Sequence, residues 1–490
     1  MGSIDTTTTT NGLTNGINGV PKSDPPPVTD ILASFVANAH PSRLTPHIRA
    51  RLKEYILDFT GVTLAAAHAA ESTPAFLTAV SALGGRKKPN SPESCTVLGV
   101  GKSFTPQYAG LLNAALGHSL DFDDTYAKGT LHAGVTAISA ALTQYEVLAT
   151  QGSPPSIDTL LLSIAVGYEL TCRLGALLGP EAYARGFHNT STAGIFGAVG
   201  TLAVLKGLSA ATVTNAFGLA GSKAAGSMQY LANGSWNKRL HPGFAVHDAF
   251  VSIALAEAGV LGAARIFEGT MGFLNAYSPK QPKDLSWLVS ELGSRWDFLE
   301  TSLKPFPACR MTHGFIEHAC KLGRERGYTS ASDVRRITLS LSPANVGVVG
   351  APIPNKIHPE NMVDAQFSAY FTATNSFLYG SDEGVRCYEK ERLLDSEIRA
   401  LSDKIVCVGD EGIREFGSRI KVEYADGSVQ QVDIPYPLGE SQHPFTMEQV
   451  EKKFFGLVSP FYGEERAKSI RDAVEGIETQ SIPEFLSLLY

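Results

Sequence analysis

Apolar and polar positions recur with two different periods along this chain, and the changeover divides it. Residues 1–28 show almost no apolar pattern: Thr, Asn, Gly and Pro dominate, with an unbroken Thr6–Thr10 run and Pro25–Pro27. Such a segment cannot offset the entropy of ordering, so a disordered tail is expected there. Helical spacing follows. Between Leu44 and Phe59, the residues Ile48, Leu52, Ile56 and Phe59 share a face, Thr45 is placed to cap, and Pro46 fits the first turn. Leu160 to Leu170 is apolar nearly all round, which predicts a helix buried among helices. Gly194, Gly197 and Gly200 form a row of small residues at which neighbouring helices can approach closely.

The period changes after about residue 302. Val334 to Ser342 alternates in the manner of a strand, and Ser418 to Ile434 reads as a hairpin with Asp426-Gly427 at its turn. Helical spacing returns from Thr446 to Leu489, with Met447–Phe455 and Glu464–Val474 as candidate helices. The pattern therefore predicts a mainly α protein with an inserted α+β domain: a large all-helical domain plus a smaller lid. Its expected parts are a tail (1–28), a helical domain (29–302), an α+β lid (303–436) and the returning helical segment (437–490).

Composition narrows the function classes. A chain of 490 residues suits two or three domains, and 43% hydrophobic with 18% charged residues is ordinary for a soluble enzyme. The net charge of −7 argues against a nucleic-acid partner, so any anion site must be a local basic patch. Cysteines 95, 172, 309, 320, 387 and 407 are scattered, which disfavours a zinc or iron–sulfur site and a disulfide framework. No metal and no other cofactor is expected. No uninterrupted apolar run approaches the ~18 residues of a membrane span, so none is expected either. The N-terminus has no apolar core and its first arginine is Arg43, unlike a signal or transit peptide. A cytoplasmic location is the expectation, with a mitochondrial one left open. Gly2 to Thr6 formally fits a myristoylation pattern, a short and weak match.

Candidate chemistry lies in four segments. A fifth is a decoy: Gly99 to Ser103 (GVGKS) resembles the end of a phosphate-binding loop, but the glycine required five residues before Gly101 is Thr96. The first true candidate is HSLDFDDT, His118 to Thr125, followed by His132; three acids within four residues suit holding histidines in a chosen tautomer, binding a hard cation, or simply capping. In RGFHNTST, His188 stands at a helix entrance with hydroxyls nearby, which suits carboxylate binding or plain capping. GSWNKRLHPG, with His247 beyond it, gathers Lys238, Arg239 and His241 in an acidic protein, as polycarboxylate recognition requires; a solvated basic turn is the bland account. In KPFPACRMTH, two prolines stiffen a loop that presents Lys304, Cys309 and Arg310 at the expected domain junction. A packed thiol is the commoner role for Cys309 than a nucleophile. His313 is a candidate structural partner of Glu317.

These four strings, in this order and with DAQFS at Asp364–Ser368, resemble the MmgE/PrpD family across roughly residues 30 to 480. Members of that family include 2-methylcitrate dehydratase and cis-aconitate decarboxylase. The resemblance implies a large helical domain with an inserted α+β lid, a homodimer, and acid-binding and catalytic positions at Asp121, Thr125, His132, His188, Lys238 and Lys304. One loop departs from the pattern: the family commonly has His-Pro-Ser where this chain has His132, Ala133 and Gly134.

The expected activity is a cofactor-independent lyase acting on a citrate-like tricarboxylic acid, dehydrating 2-methylcitrate or a longer alkylcitrate to the corresponding aconitate. Decarboxylation of cis-aconitate to itaconate is the alternative, since it needs the same anchors and proton shuttle. A dicarboxylate epimerase and a non-catalytic acid-binding homologue are the readings from other classes. Asp121, His132, His188, Lys238 and Lys304 are the catalytic candidates. Thr125, Arg239, His241, Cys309 and Arg310 are the substrate-binding ones.

Overall fold

The computed structural model describes residues 27–88, 91, 94–280, 283–327, 330–382, 384–414, 416–479 and 481–490. The expected tail and the Gly2–Thr6 pattern lie outside them, save for Pro27 and Val28; Val28 already opens a helix, Val28–Ala37. The helix expected at Leu44–Phe59 is Pro46–Ala69, capped by the Thr45 hydroxyl on Ile48 N at 3.3 Å. It runs further because Thr60 to Ala66 are buried on every side, which erases the period that marks an amphipathic helix.

Ile157–Ala184 is the central helix. Every residue from Leu160 to Gly175 is buried, and a kink at Gly179–Pro180 re-aims its last turn. Its mean hydropathy and length would suffice for a membrane span although it contains no uninterrupted apolar run of that length; its apolar window is 94% buried by the protein itself. The predicted glycine row lies against it: a Cβ on Gly197 would sit 2.0 Å from Thr171 Oγ1, and one on Gly200 2.4 Å from a Leu170 methyl. These are the close approaches that only glycine permits.

The helices Pro106–Ser119, Gly134–Thr150, Gly194–Lys206 and Asn237–Glu257 complete the packing around this centre. The GVGKS decoy is the turn between the antiparallel strands Cys95–Val97 and Lys102–Phe104. A second apolar cluster spans Cys309 to Ile434, joined by Met228 and Tyr230. It rests on a four-stranded sheet ordered Ile405–Gly409, Val334–Leu341, Ser418–Tyr424, Val429–Ile434, of which the first pair is parallel and the others antiparallel. Gly427, with φ +86°, makes the hairpin turn. The helices Met447–Tyr462 and Glu464–Glu475 pack back into the first cluster. Gln366 stitches the two clusters together, its amide donating to Leu120 O at 2.7 Å and Pro307 O at 3.0 Å.

Candidate active site

The stitched seam is a narrow cleft whose wall includes Asp121, Thr125, His132, His188, Lys238 and Lys304. The elements explain how they meet. Asp121 follows the end of the helix Pro106–Ser119 in a left-handed conformation, φ +51°, which turns the chain sharply into the cleft. Lys238 opens the helix Asn237–Glu257, and Lys304 comes from the proline-stiffened loop that joins the two clusters.

Asp121 is the electrostatic hub. Its Oδ1 accepts from Lys238 Nζ at 2.6 Å and Lys304 Nζ at 2.8 Å, and Lys304 also donates to its carbonyl at 2.8 Å. Burial pushes this carboxyl up, but the two ammonium groups outweigh burial and hold it well below the usual carboxylate range. Its Oδ2 has no partner, nor does Thr125 Oγ1.

Around the hub stand four histidines. Asp123 reaches His118 Nδ1 at 2.7 Å and His132 Nδ1 at 3.2 Å; His132 Nε2 lies 3.8 Å from Asp121 Oδ1. The rings of His118 and His132 are 4.5 Å apart, centroid to centroid. Behind His188, its Nδ1 meets His241 Nδ1 at 3.0 Å, so one ring donates and the other accepts. Burial lowers all four, outweighing Asp123 at His118 and His132 and reinforced by Lys238 at His188 and His241: His118 to about 3, His241 to about 4, and His132 and His188 below the ordinary imidazole value. The site thus holds neutral imidazoles beside an ionised aspartate.

His118, His132 and His188 offer one ring nitrogen each within 4.8 Å of one another, as do Asp121, Asp123 and His132 with one ligand atom apiece. That spacing can embrace a divalent cation. Two ammonium groups on Asp121 put positive charge beside it and oppose one.

Several sequence candidates fall elsewhere. Arg239 is not in the cleft wall; its guanidinium donates to Ser72 Oγ at 3.0 Å and pairs with Glu71 at 3.4 Å. Arg310 borders the cleft, yet its Nε is on Glu440 at 2.6 Å and its Nη1 on Leu438 O at 2.9 Å. Glu440 in turn accepts from Ser302 Oγ, and Ser302 pairs backbone to backbone with Thr125, so Arg310 braces the loop that carries Thr125. His241 stands behind His188 rather than on the wall, and His247 pairs with Asp248. Cys309 lines the cleft as a packed thiol that burial pushes up, against a nucleophilic role. His313 turns from Glu317 to Arg310 and Ala308 O, while Glu317 accepts from Leu438 N. Of the hydroxyls beside His188, Thr190 accepts from His132 N and Ser191 donates to His241 O, while Thr192 Oγ1 is buried without a partner.

The structure also adds residues that were not singled out for a role. His118 and Asp123 were inside HSLDFDDT, where spacing alone could not tell the hub from its supports. Tyr183, Met311, Phe367 and Phe416 line the cleft, and no motif signalled Tyr183 or Phe416.

Family models confirm what the geometry suggests. The MmgE/PrpD N-terminal domain matches residues 30–286 and the MmgE/PrpD C-terminal domain residues 306–479. The chain belongs to the MmgE/PrpD family. Within it, the chain is similar to the cis-aconitate decarboxylase-like protein oryM of Aspergillus oryzae, 27% identical over 94% of this chain and 97% of that one. It is also similar to the cis-aconitate decarboxylase of Aspergillus terreus, 28% identical over 79% of this chain and 81% of the relative. The human cis-aconitate decarboxylase is 27% identical over 92% of both.

Proposed function

We propose that this MmgE/PrpD protein is a lyase of citrate-like tricarboxylates that works without a separate cofactor, and that its reaction is dehydration of 2-methylcitrate or a longer alkylcitrate. The observation that carries this reading is the ionised Asp121 between Lys238 and Lys304, facing the neutral imidazoles of His132 and His188.

Dehydration begins by removing a proton from carbon beside a carboxylate. A neutral imidazole accepts it, and the electron pair moves toward the carboxylate that the lysines neutralise. The pair then forms the C=C bond as the hydroxyl leaves the neighbouring carbon, and the imidazolium returns its proton to release water. Thr125 Oγ1 and Asp121 Oδ2, both without a partner, are free to bind the hydroxyl group. Imidazoles held below their ordinary value suit a base-first step.

Decarboxylation of a cis-aconitate-type acid is the second reading, favoured by the names of the relatives. It breaks a C–C bond, releases carbon dioxide, and needs a protonated histidine to deliver hydrogen to carbon. Proton NMR of the chelator-treated enzyme with 2-methylcitrate, a longer alkylcitrate and cis-aconitate separates the two. An alkene with unchanged carbon number supports dehydration; for 2-methylcitrate the double bond is fully substituted, so it is read as the methyl doublet collapsing to a downfield singlet. Itaconate-type methylene signals with released carbon dioxide replace it by decarboxylation, and inertness toward all three overturns the lyase reading. A homodimer is the proposed working form, consistent with exposed Phe244, Val251 and Leu255 on one side of the helix Asn237–Glu257; sedimentation tests it.

A further inference from the structure

One cation near the cleft is unused by the mechanism above. Lys356, on the short helix Pro354–Ile357 of the second cluster's side, is only 2% exposed, and its Nζ has no hydrogen-bond partner. Among the described residues it forms no ion pair. Asp364 is the nearby acid, but its two oxygens are taken by Asn355 Nδ2 at 2.9 Å and Asn361 Nδ2 at 2.7 Å. A buried ammonium without an acceptor is costly, and structures keep one where an anion arrives.

Its place says which anion. Lys356 Nζ lies 5.5 Å from the centroid of the Phe367 ring, and Lys238 Nζ lies 5.4 Å from the same centroid. Phe367 is part of the cleft wall, as is Cys309, which is close enough to Lys356 to act on its charge; Lys356 itself lies just off that wall, against the Phe367 ring, so a carboxylate reaches it only past that ring. The two nitrogens are therefore no more than about 11 Å apart, a gap that carboxylates on a short carbon chain can bridge with charge-assisted bonds of ~2.8 Å at each end.

We infer that Lys356 is a third cationic anchor, which takes the carboxylate that a tricarboxylate has and a dicarboxylate lacks. This deepens the proposed lyase reading and rests on it. Burial lowers Lys356 to about 8, so it remains mostly protonated at neutral pH and ready to receive an anion. Lys238 and Lys304 are shared with Asp121 before any substrate arrives, whereas Lys356 gives up no internal bond when it binds one. The discrimination therefore comes from a residue outside all four motif strings.

The test is calorimetric binding of tricarballylate and of glutarate, inert tri- and dicarboxylate probes, to wild type, Lys356→Met and Lys356→Arg. Lys356→Met keeps the side chain's length against Phe367 and removes only the charge. It should weaken tricarballylate at least tenfold and glutarate less than twofold, and Lys356→Arg should recover most of the loss. If Lys356→Met fails to fold, Lys356→Gln takes its place in the same comparison. Equal losses for both probes, no loss for either, or wild type that prefers glutarate would overturn the anchor. Wild type that binds tricarballylate with this discrimination yet turns over none of the citrates or aconitates would instead overturn the lyase reading and leave the anchor standing.

Discussion

Two ionic clusters are buried beside the central helix, and they differ in what they leave unused. Arg173, on that helix, is itself fully paired. Its Nε meets Glu169 Oε1 at 2.5 Å and Asp297 Oδ2 at 3.2 Å, and its Nη atoms reach the carbonyls of Leu288, Ser290 and Arg295. The other Glu169 oxygen accepts from Phe298 N at 3.1 Å. Around Asp121, by contrast, Asp121 Oδ2, Thr125 Oγ1 and His118 Nε2 all lack partners. Buried charge alone does not mark a functional site. Single unpaired atoms such as Thr60 Oγ1 and Asn375 Oδ1 occur elsewhere, so the stronger pointer is several of them gathered around one ionised carboxylate on a cleft.

The largest effect should come from breaking the saturated cluster. Arg173→Met leaves Glu169 without a cation and Asp297 with only Arg295 at 3.4 Å, and strips a partner from the carbonyls of Trp287, Leu288, Ser290 and Arg295, which costs about 3–5 kcal/mol. Urea unfolding reads this directly, and a variant as stable as wild type would show that the cluster holds nothing together.

Asp124 sharpens the comparison, because it neighbours the functional hub in sequence yet belongs with the saturated kind. Its carboxyl accepts from Tyr168 OH at 2.7 Å and Gly134 N at 3.2 Å, and burial raises it to about 7. The unfolded chain ionises this group near pH 4, while the folded one keeps its proton to about pH 7. Stability therefore falls as pH rises through that window, and the penalty is complete above it. Asp124→Asn should be more stable than wild type by roughly 2–4 kcal/mol at pH 8, with no gain at pH 4. A constant difference across melting curves from pH 4 to 8 would contradict the assignment.

The Asp121 cluster should respond in binding and turnover instead. Lys238→Met and Lys304→Met each leave Asp121 one ammonium partner, so melting should change far less than in Arg173→Met. Substrate binding or turnover should fall at least tenfold in each, about 1.4 kcal/mol. Normal kinetics in both would end the carboxylate-anchor proposal.

What was legible in the sequence follows the same division. The helix beginning at Pro46 announced itself through Ile48, Leu52, Ile56 and Phe59, while its second half did not, because a segment buried on all sides carries no period. Asp121, His132, His188, Lys238 and Lys304 stood in short distinctive strings, and the fold brings all five to one cleft. Lys356 stood in none. Its significance comes from a missing partner, and a missing partner is a property of three dimensions.

Arg239 is the case where sequence position misled, and its prediction is the smallest effect of all. Next to Lys238 it looked like a second substrate cation, but adjacent residues on a helix point about 100° apart. Its side chain instead crosses to Glu71 and Ser72, more than 160 residues earlier in the chain, and packs over Trp236. Those partners occupy its guanidinium away from the cleft wall. Arg239→Met should therefore leave KM and kcat within about twofold while lowering stability by ~1 kcal/mol, the typical worth of such a hydrogen bond. A tenfold rise in KM with unchanged melting would put the guanidinium back among the substrate's anchors and make partner saturation an unsafe guide to which buried cations are functional.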